Sequence, residues 1–185
     1  DYVRFFDITP HDNNIPEHKC YCVCWCNEDY EGKDFSSAEK RRAAAIQYVK
    51  NGNIQGYLAY HDNEIVGWCN ANTKSDCLKC ASWRRFMDYV PLDSDNNINV
   101  KSIFCFTIAP AFQRKGIATL FLERVCKDAA DDGFDFVEVY PYKESGYQSS
   151  HFGGYFEMYE KKGFYISHEA NGELVMRKAL KPEIS

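Results

Sequence analysis

The sequence predicts a mixed α/β domain, on three observations. An apolar run at residues 102–108 leads through the turn Gln113-Arg114-Lys115-Gly116-Ile117-Ala118 into an amphipathic helix reaching residue 130. A second alternating run at residues 134–140 reads as a strand, and a helix ending in Tyr159-Glu160-Lys161-Lys162-Gly163-Phe164 follows it. Two further runs, 164–168 and 174–180, flank Asn171-Gly172, a dipeptide that closes hairpins.

The elements before the apolar run are less regular. Residues 1–19 form a turn-rich lead-in with an apolar patch at Val3, Phe5 and Phe6. Residues 20–26 read as the first strand, with Cys20, Cys22, Cys24 and Cys26 on one face and Tyr21, Val23 and Trp25 on the other. The spacing from Ser36 to Glu39 is that of a capping box and starts a helix to residue 50, where Asn51-Gly52 ends it. Residues 54–60 and 65–71 are two strands of a hairpin around His61-Asp62-Asn63-Glu64. Residues 72–99 are irregular, with a short helix at 82–89. Trp83 and Phe86 there either anchor the loop or, with Arg84 and Arg85, carry binding surface.

In the helix after Lys115, Ile117, Ala118, Phe121, Leu122, Val125 and Cys126 form the buried side. Glu123 and Lys127 are spaced for an i,i+4 pair. Asp131-Asp132-Gly133 stops it. Pro141 stops the next strand, a polar loop spans residues 143–150, and the last helix covers 152–162.

Composition bounds the function. The chain has 185 residues, 45% apolar, enough for one domain spanning residues 1–185 with a substantial core. Twenty-two basic against 27 acidic residues leave a net charge of -5, which argues against a nucleic-acid partner and mildly favours an amine. No stretch reaches about 18 uninterrupted apolar residues and no signal sequence is visible, so a cytoplasmic protein with no membrane partner, monomeric or homodimeric, is expected. The nine cysteines are read as ordinary thiols of a reduced compartment, ahead of a structural zinc or a regulatory disulfide. Cys77-Leu78-Lys79-Cys80 alone has the spacing of a zinc knuckle.

The chemistry rests on the glycine turn. A turn between strand and helix points backbone N–H groups into one small volume, and a phosphate fits there. Neither G-x-x-x-x-G-K-S/T nor G-x-G-x-x-G occurs in the chain. The pattern Q/R-x-x-G-x-G/A at Gln113 to Ala118 instead resembles the pyrophosphate loop of the GCN5-related N-acetyltransferases (GNAT), and Tyr159-x-x-x-Gly163-Phe164 is similar to that family's Y-x-x-x-G-F signature. The order loop, strand, signature is the family's too, and the resemblance covers residues 54–180.

That resemblance implies the acyl-coenzyme A N-acyltransferase fold: a twisted, mostly antiparallel sheet with splayed central strands, flanked by helices. It implies acetyl-coenzyme A as cosubstrate, its pyrophosphate held by Gln113, Arg114, Lys115, Gly116, Ile117, Ala118 and Thr119. Its pantetheine arm would lie along the backbone of Phe106 and Ile108, with Gly154 letting the last helix pass close. Tyr159 takes the place of the general acid, the alternative being a core aromatic. An Asn that often stands seven residues before that Tyr is replaced by Phe152, which puts that cofactor contact in question.

For the base, Glu138 shares a strand face with Phe134, Phe136 and Tyr140, where partial burial raises a carboxyl toward a useful base; a structural role is the alternative. His151 is the second candidate. The expected reaction is direct transfer of acetyl to a primary amine of a small molecule or peptide. The competing reading is a non-catalytic acyl-coenzyme A-binding regulatory module, with no metal in either case.

Overall fold

Two tight turns set the outer hairpins. In a computed structural model, which describes residues 1–10, 15–93, 95, 97–142 and 152–181, Asp62 and Asn63 take φ of 48° and 66°, and Asn171 and Gly172 take 54° and 85°. Paired positive φ values make the primed turns whose twist matches that of the flanking strands. They join β1 (Gly56–His61) to β2 (Glu64–Thr73) and β5 (Tyr165–Ala170) to β6 (Glu173–Ala179). With β3 (Val100–Ile108) and β4 (Phe136–Val139) they form a six-stranded sheet in the order β1-β2-β3-β4-β6-β5, antiparallel everywhere except between β3 and β4. The fold is the expected mixed α/β one.

β3 and β4 pair only from Val100 opposite Phe136 to Ile103 opposite Val139, and no ladder joins them beyond. At that point β3 slips register against β2: Asn70 faces Cys105 while Ala71 faces Ile103, so Phe104 is an extra residue. Such a bulge breaks the alternation and re-aims side chains. Phe104 and Cys105 consequently border one cavity, described below.

The sheet buries both faces. On one, α5 (Ile117–Asp131) and α6 (Phe156–Glu160) pack Phe121, Leu122, Val125 and Tyr159 against Ile103, Phe106, Val137 and Met176. Within α5, Lys127 pairs with Asp131 at 2.6 Å, and Glu123 accepts from Lys162 across the fold at 2.6 Å, so the expected Glu123–Lys127 pair is replaced. The other face is covered by α1 (Tyr2–Ile8), α2 (Ala38–Asn51) and two short helices, α3 (Lys74–Cys77) and α4 (Ala81–Phe86). α2 begins one residue later than its capping-box reading: Ser37, not Ser36, accepts the Lys40 N–H at 3.2 Å, and Gly52 ends the helix at φ 74°.

Three expectations fail here. The lead-in contains a helix, α1, whose Tyr2, Phe5 and Phe6 are buried. Their i,i+3,i+4 spacing is helical, but seven residues are too few to hold a helix without tertiary packing. Residues 20–26 are turns, not a strand: Tyr21 and Cys22 take φ of 48° and 52°, the Val23 and Trp25 amides donate back to the Cys20 and Cys22 carbonyls, and two further carbonyls accept from side chains. The Tyr2 hydroxyl donates to the Tyr21 carbonyl at 2.6 Å and the Asn70 amide to that of Trp25 at 2.9 Å. Finally, the last helix is only Phe156–Glu160, because Gly154 at φ 81° cannot lie within it.

Candidate active site

β3 ends in a 3-10 turn, Pro110–Phe112, and Gln113 closes it by donating from Nε2 to the Ile108 carbonyl at 3.2 Å. Arg114 then takes φ 60° and Gly116 φ 84°, so the chain reverses and enters α5 with no side-chain bond capping its N-terminus. The first amides of a helix have no intrahelical acceptor, and their partial positive charge attracts an anion. A Cβ placed on Gly116 would meet nothing within 4 Å, so the turn faces open space. Lys115 holds its ammonium 5.0 Å above the Phe112 ring, while Ile117 and Ala118 pack partly against the core and Thr119 lies in the first turn. The residues fit a pyrophosphate.

The split between β3 and β4 is filled by the chain itself. The Phe106 amide donates to the Phe152 carbonyl at 2.7 Å, the Tyr159 hydroxyl to that of Gly153 at 2.6 Å, and the Tyr142 amide to that of Gly154 at 3.1 Å. Both glycines are required by close approach. A Cβ on Gly153 would lie 2.6 Å from the Tyr140 carbonyl, and one on Gly154 would lie 2.8 Å from the Tyr159 hydroxyl. Of the two backbone positions expected along the cofactor arm, Phe106 is therefore engaged, while strand alternation turns the Ile108 amide outward on the same edge.

Two cavities share Phe152 in their linings. One, of about 200 Å³, runs from Gln113 and Ile108 past Thr107 to Cys105 and Cys20, under Phe6 and Thr9 of the N-terminal segment. The other, of about 620 Å³, is walled by Trp25, Phe104, Tyr140 and Tyr142 and rimmed by Asp88 and Glu173. Cys20, Cys105 and Phe152 border both.

Tyr159 is 0% exposed, and burial pushes its phenol well above the ordinary range, so it keeps its proton. Glu138 is also 0% exposed, and its environment corrects the expectation of a half-buried base. Lys74 Nζ lies 3.0 Å from Oε1, Arg177 Nη2 2.5 Å from Oε2, and the Tyr140 hydroxyl donates to Oε1 at 2.6 Å. Asp93 completes the cluster, 3.2 Å from Lys74 and 2.7 Å from Arg177. Burial raises the Asp93 carboxyl, yet the bond from Arg177 and the two positive charges leave it below its usual range. Both Glu138 oxygens are bonded, so the carboxylate has no lone pair turned toward an acceptor amine.

Sequence reasoning singled out Glu138 but missed its partners, because Lys74 lies 64 positions away and nothing local marks it. It missed Asp88 and Glu173 for the same reason. His151 lies outside the described residues. All nine cysteines are free thiols, and among the described residues no group of three or more His, Cys, Asp or Glu is placed to hold a metal. No helix among them is long and apolar enough to cross a membrane.

Comparison with known proteins bears on the fold and the family. No curated protein sequence matches the chain significantly. Among solved structures, a GNAT-family protein from Desulfovibrio desulfuricans superposes with a TM-score of 0.52 at 13% identity, covering 82% of this chain and 86% of that one. PaiA N-acetyltransferase from Thermoplasma acidophilum, solved with coenzyme A, gives 0.48 at 16% identity over 78% of this chain and 72% of that one. An aminoglycoside 6'-acetyltransferase type Ii gives 0.49 at 18% over 78% and 81%. The family model of the GNAT acetyltransferases matches residues 17–164, so the chain belongs to that family, whose cosubstrate is acetyl-coenzyme A.

Proposed function

We propose that the protein transfers an acetyl group from acetyl-coenzyme A to a primary amine of a small molecule or peptide. The observation that carries this reading is the uncapped α5 N-terminus, preceded by Gln113, from which a cavity runs along Ile108 and Thr107 to Cys105 and Phe152. The cradle amides at Gly116 to Thr119 hold the pyrophosphate, with Arg114 and Lys115 supplying charge at its edge. Acetyl-coenzyme A supplies an activated acyl group and a thiolate leaving group.

Tyr159 is proposed as the group that protonates the thiolate. Its phenol is neutral and already aimed at the split, with the Gly153 carbonyl as its present acceptor. For the phenol to reach sulfur, residues 152–154 withdraw from the split, and the same movement releases the Phe106 amide for the arm. Gly153-Gly154 supplies the backbone freedom for that movement. The proton leaving the amine passes to solvent at the open side of the larger cavity, since Glu138 is committed elsewhere.

The engaged Phe106 amide also favours a second reading, a binding module whose split stays closed. Replacement of Tyr159 by Phe separates the two. In an acetyltransferase kcat falls about a hundredfold, while affinity for coenzyme A measured by calorimetry is nearly unchanged. Loss of the bond to Gly153 costs about 1 kcal/mol of stability besides. Unaltered turnover would make solvent the acid. A parent protein that binds acetyl-coenzyme A yet acetylates no amine in a broad panel would establish the binding module.

A further inference from the structure

The larger cavity has a composition that selects among amines. Its wall is aromatic: Trp25 stacks on Phe104 at 5.0 Å between centroids, and Phe104 on Tyr140 at 5.5 Å. The Tyr140 hydroxyl is spent on Glu138 and Ser102, so the tyrosine shows the cavity mainly its ring. The carboxyl groups at the rim are Asp88 and Glu173, and no Lys, Arg or His appears among the described lining residues. Burial first, and the Glu173 charge next, raise the Tyr89 and Tyr142 phenols, so both stay neutral beside that carboxylate.

We propose that this cavity is the acceptor site for a primary amine borne on an apolar body of aromatic size, its ammonium drawn in by Asp88 and Glu173 and its body received by the Trp25, Phe104 and Tyr140 wall. The proposal rests on the acetyl-transfer reading above for its chemistry but not for its binding. A cation is attracted both by carboxylates and by the faces of aromatic rings. A polyhydroxylated amino sugar would lose water from many hydroxyls against a wall with few partners for them. An α-amino acid would bring its carboxylate against two carboxylates with no cation among the described lining residues to answer it. The cavity's volume of about 620 Å³ is that of a small-molecule site, and it shares Cys105 and Phe152 with the cavity that reaches Ile108 and Gln113. There the amine, having lost its extra proton to water, forms the N–C bond as the C–S bond breaks. The second N–H proton is then lost and a proton is delivered to sulfur.

The test has two arms. In the first, phenethylamine is titrated into the protein without a donor, read by tryptophan fluorescence in the parent and in Trp25→Phe. Saturable binding whose signal is reduced in Trp25→Phe is expected, and no saturable binding overturns the proposal. In the second, phenethylamine, cyclohexylmethylamine, spermidine, kanamycin and glutamate are offered with acetyl-coenzyme A, and products are read by mass spectrometry. The apolar amines should exceed the others in kcat/KM by about tenfold or more, and Glu173→Gln with Asp88→Asn should raise their KM about tenfold with little change in kcat. Preference for spermidine, kanamycin or glutamate, or an unchanged KM in the double variant, overturns the proposal. Phenethylamine binding with no acetylated product from any amine leaves the site standing and removes the transfer reading instead.

Discussion

Glu138→Gln is expected to destabilise the protein by about 3–5 kcal/mol, because it removes one of two carboxylates that balance two cations inside the fold. Lys74 is 3% exposed and Glu138 0%, so the unmatched positive charge has little water to turn to. For a domain of this size that loss lowers the melting temperature by about 10 °C, and it is a large share of a typical total of about 5–15 kcal/mol. Urea denaturation with an unchanged m-value and a lower midpoint is the measurement. The same variant separates structure from catalysis: a general base would lose turnover at unchanged stability and shift the pH–rate profile. A melting temperature within about a degree of the parent's would show that the cluster does not hold β4 and β6 to the residue 74–93 segment.

Gly116→Val is expected to weaken coenzyme A binding by on the order of a hundredfold, the loss of about two hydrogen bonds to a charged group. A β-branched residue is strained at φ 84°, so the turn shifts and its amides no longer converge. The domain itself should stay folded, since the added side chain meets no neighbour within 4 Å of its Cβ. Gly133→Val is the control: Gly133 takes φ 80° with equally open surroundings but follows the other end of α5. It should cost similar stability and leave affinity alone. Calorimetric titration giving equal affinity for Gly116→Val and the parent would remove the phosphate role from this turn.

The boundaries of β3, α5, β4 and the β5–β6 hairpin were legible within a few residues, as were both hairpin turns. Each is marked by a local signal: alternation, an amphipathic stripe, or a turn dipeptide whose φ values only certain residues accept. The cysteine run misled for the same reason. Alternation over residues 20–26 is a local pattern too, and it describes equally well a buried loop whose carbonyls are satisfied by Tyr2 and Asn70 from distant elements. At Glu138 the strand face was read correctly and the surroundings were not, because Lys74, Asp93 and Arg177 lie far from it along the chain.

What the sequence by itself determined is the fold, the family and the glycine turn proposed to hold a phosphate, since a glycine-dependent turn between a strand and a helix is set by residues within a few positions of one another. Only the tertiary structure decided that Glu138 is buried between Lys74 and Arg177, that Phe152 to Gly154 lie in the split between β3 and β4, and that two carboxylates and an aromatic wall share one cavity. The physical reason is that burial, ion pairing and cavity lining depend on which residues meet across the fold, and the packing of distant segments carries no periodic signal along the chain.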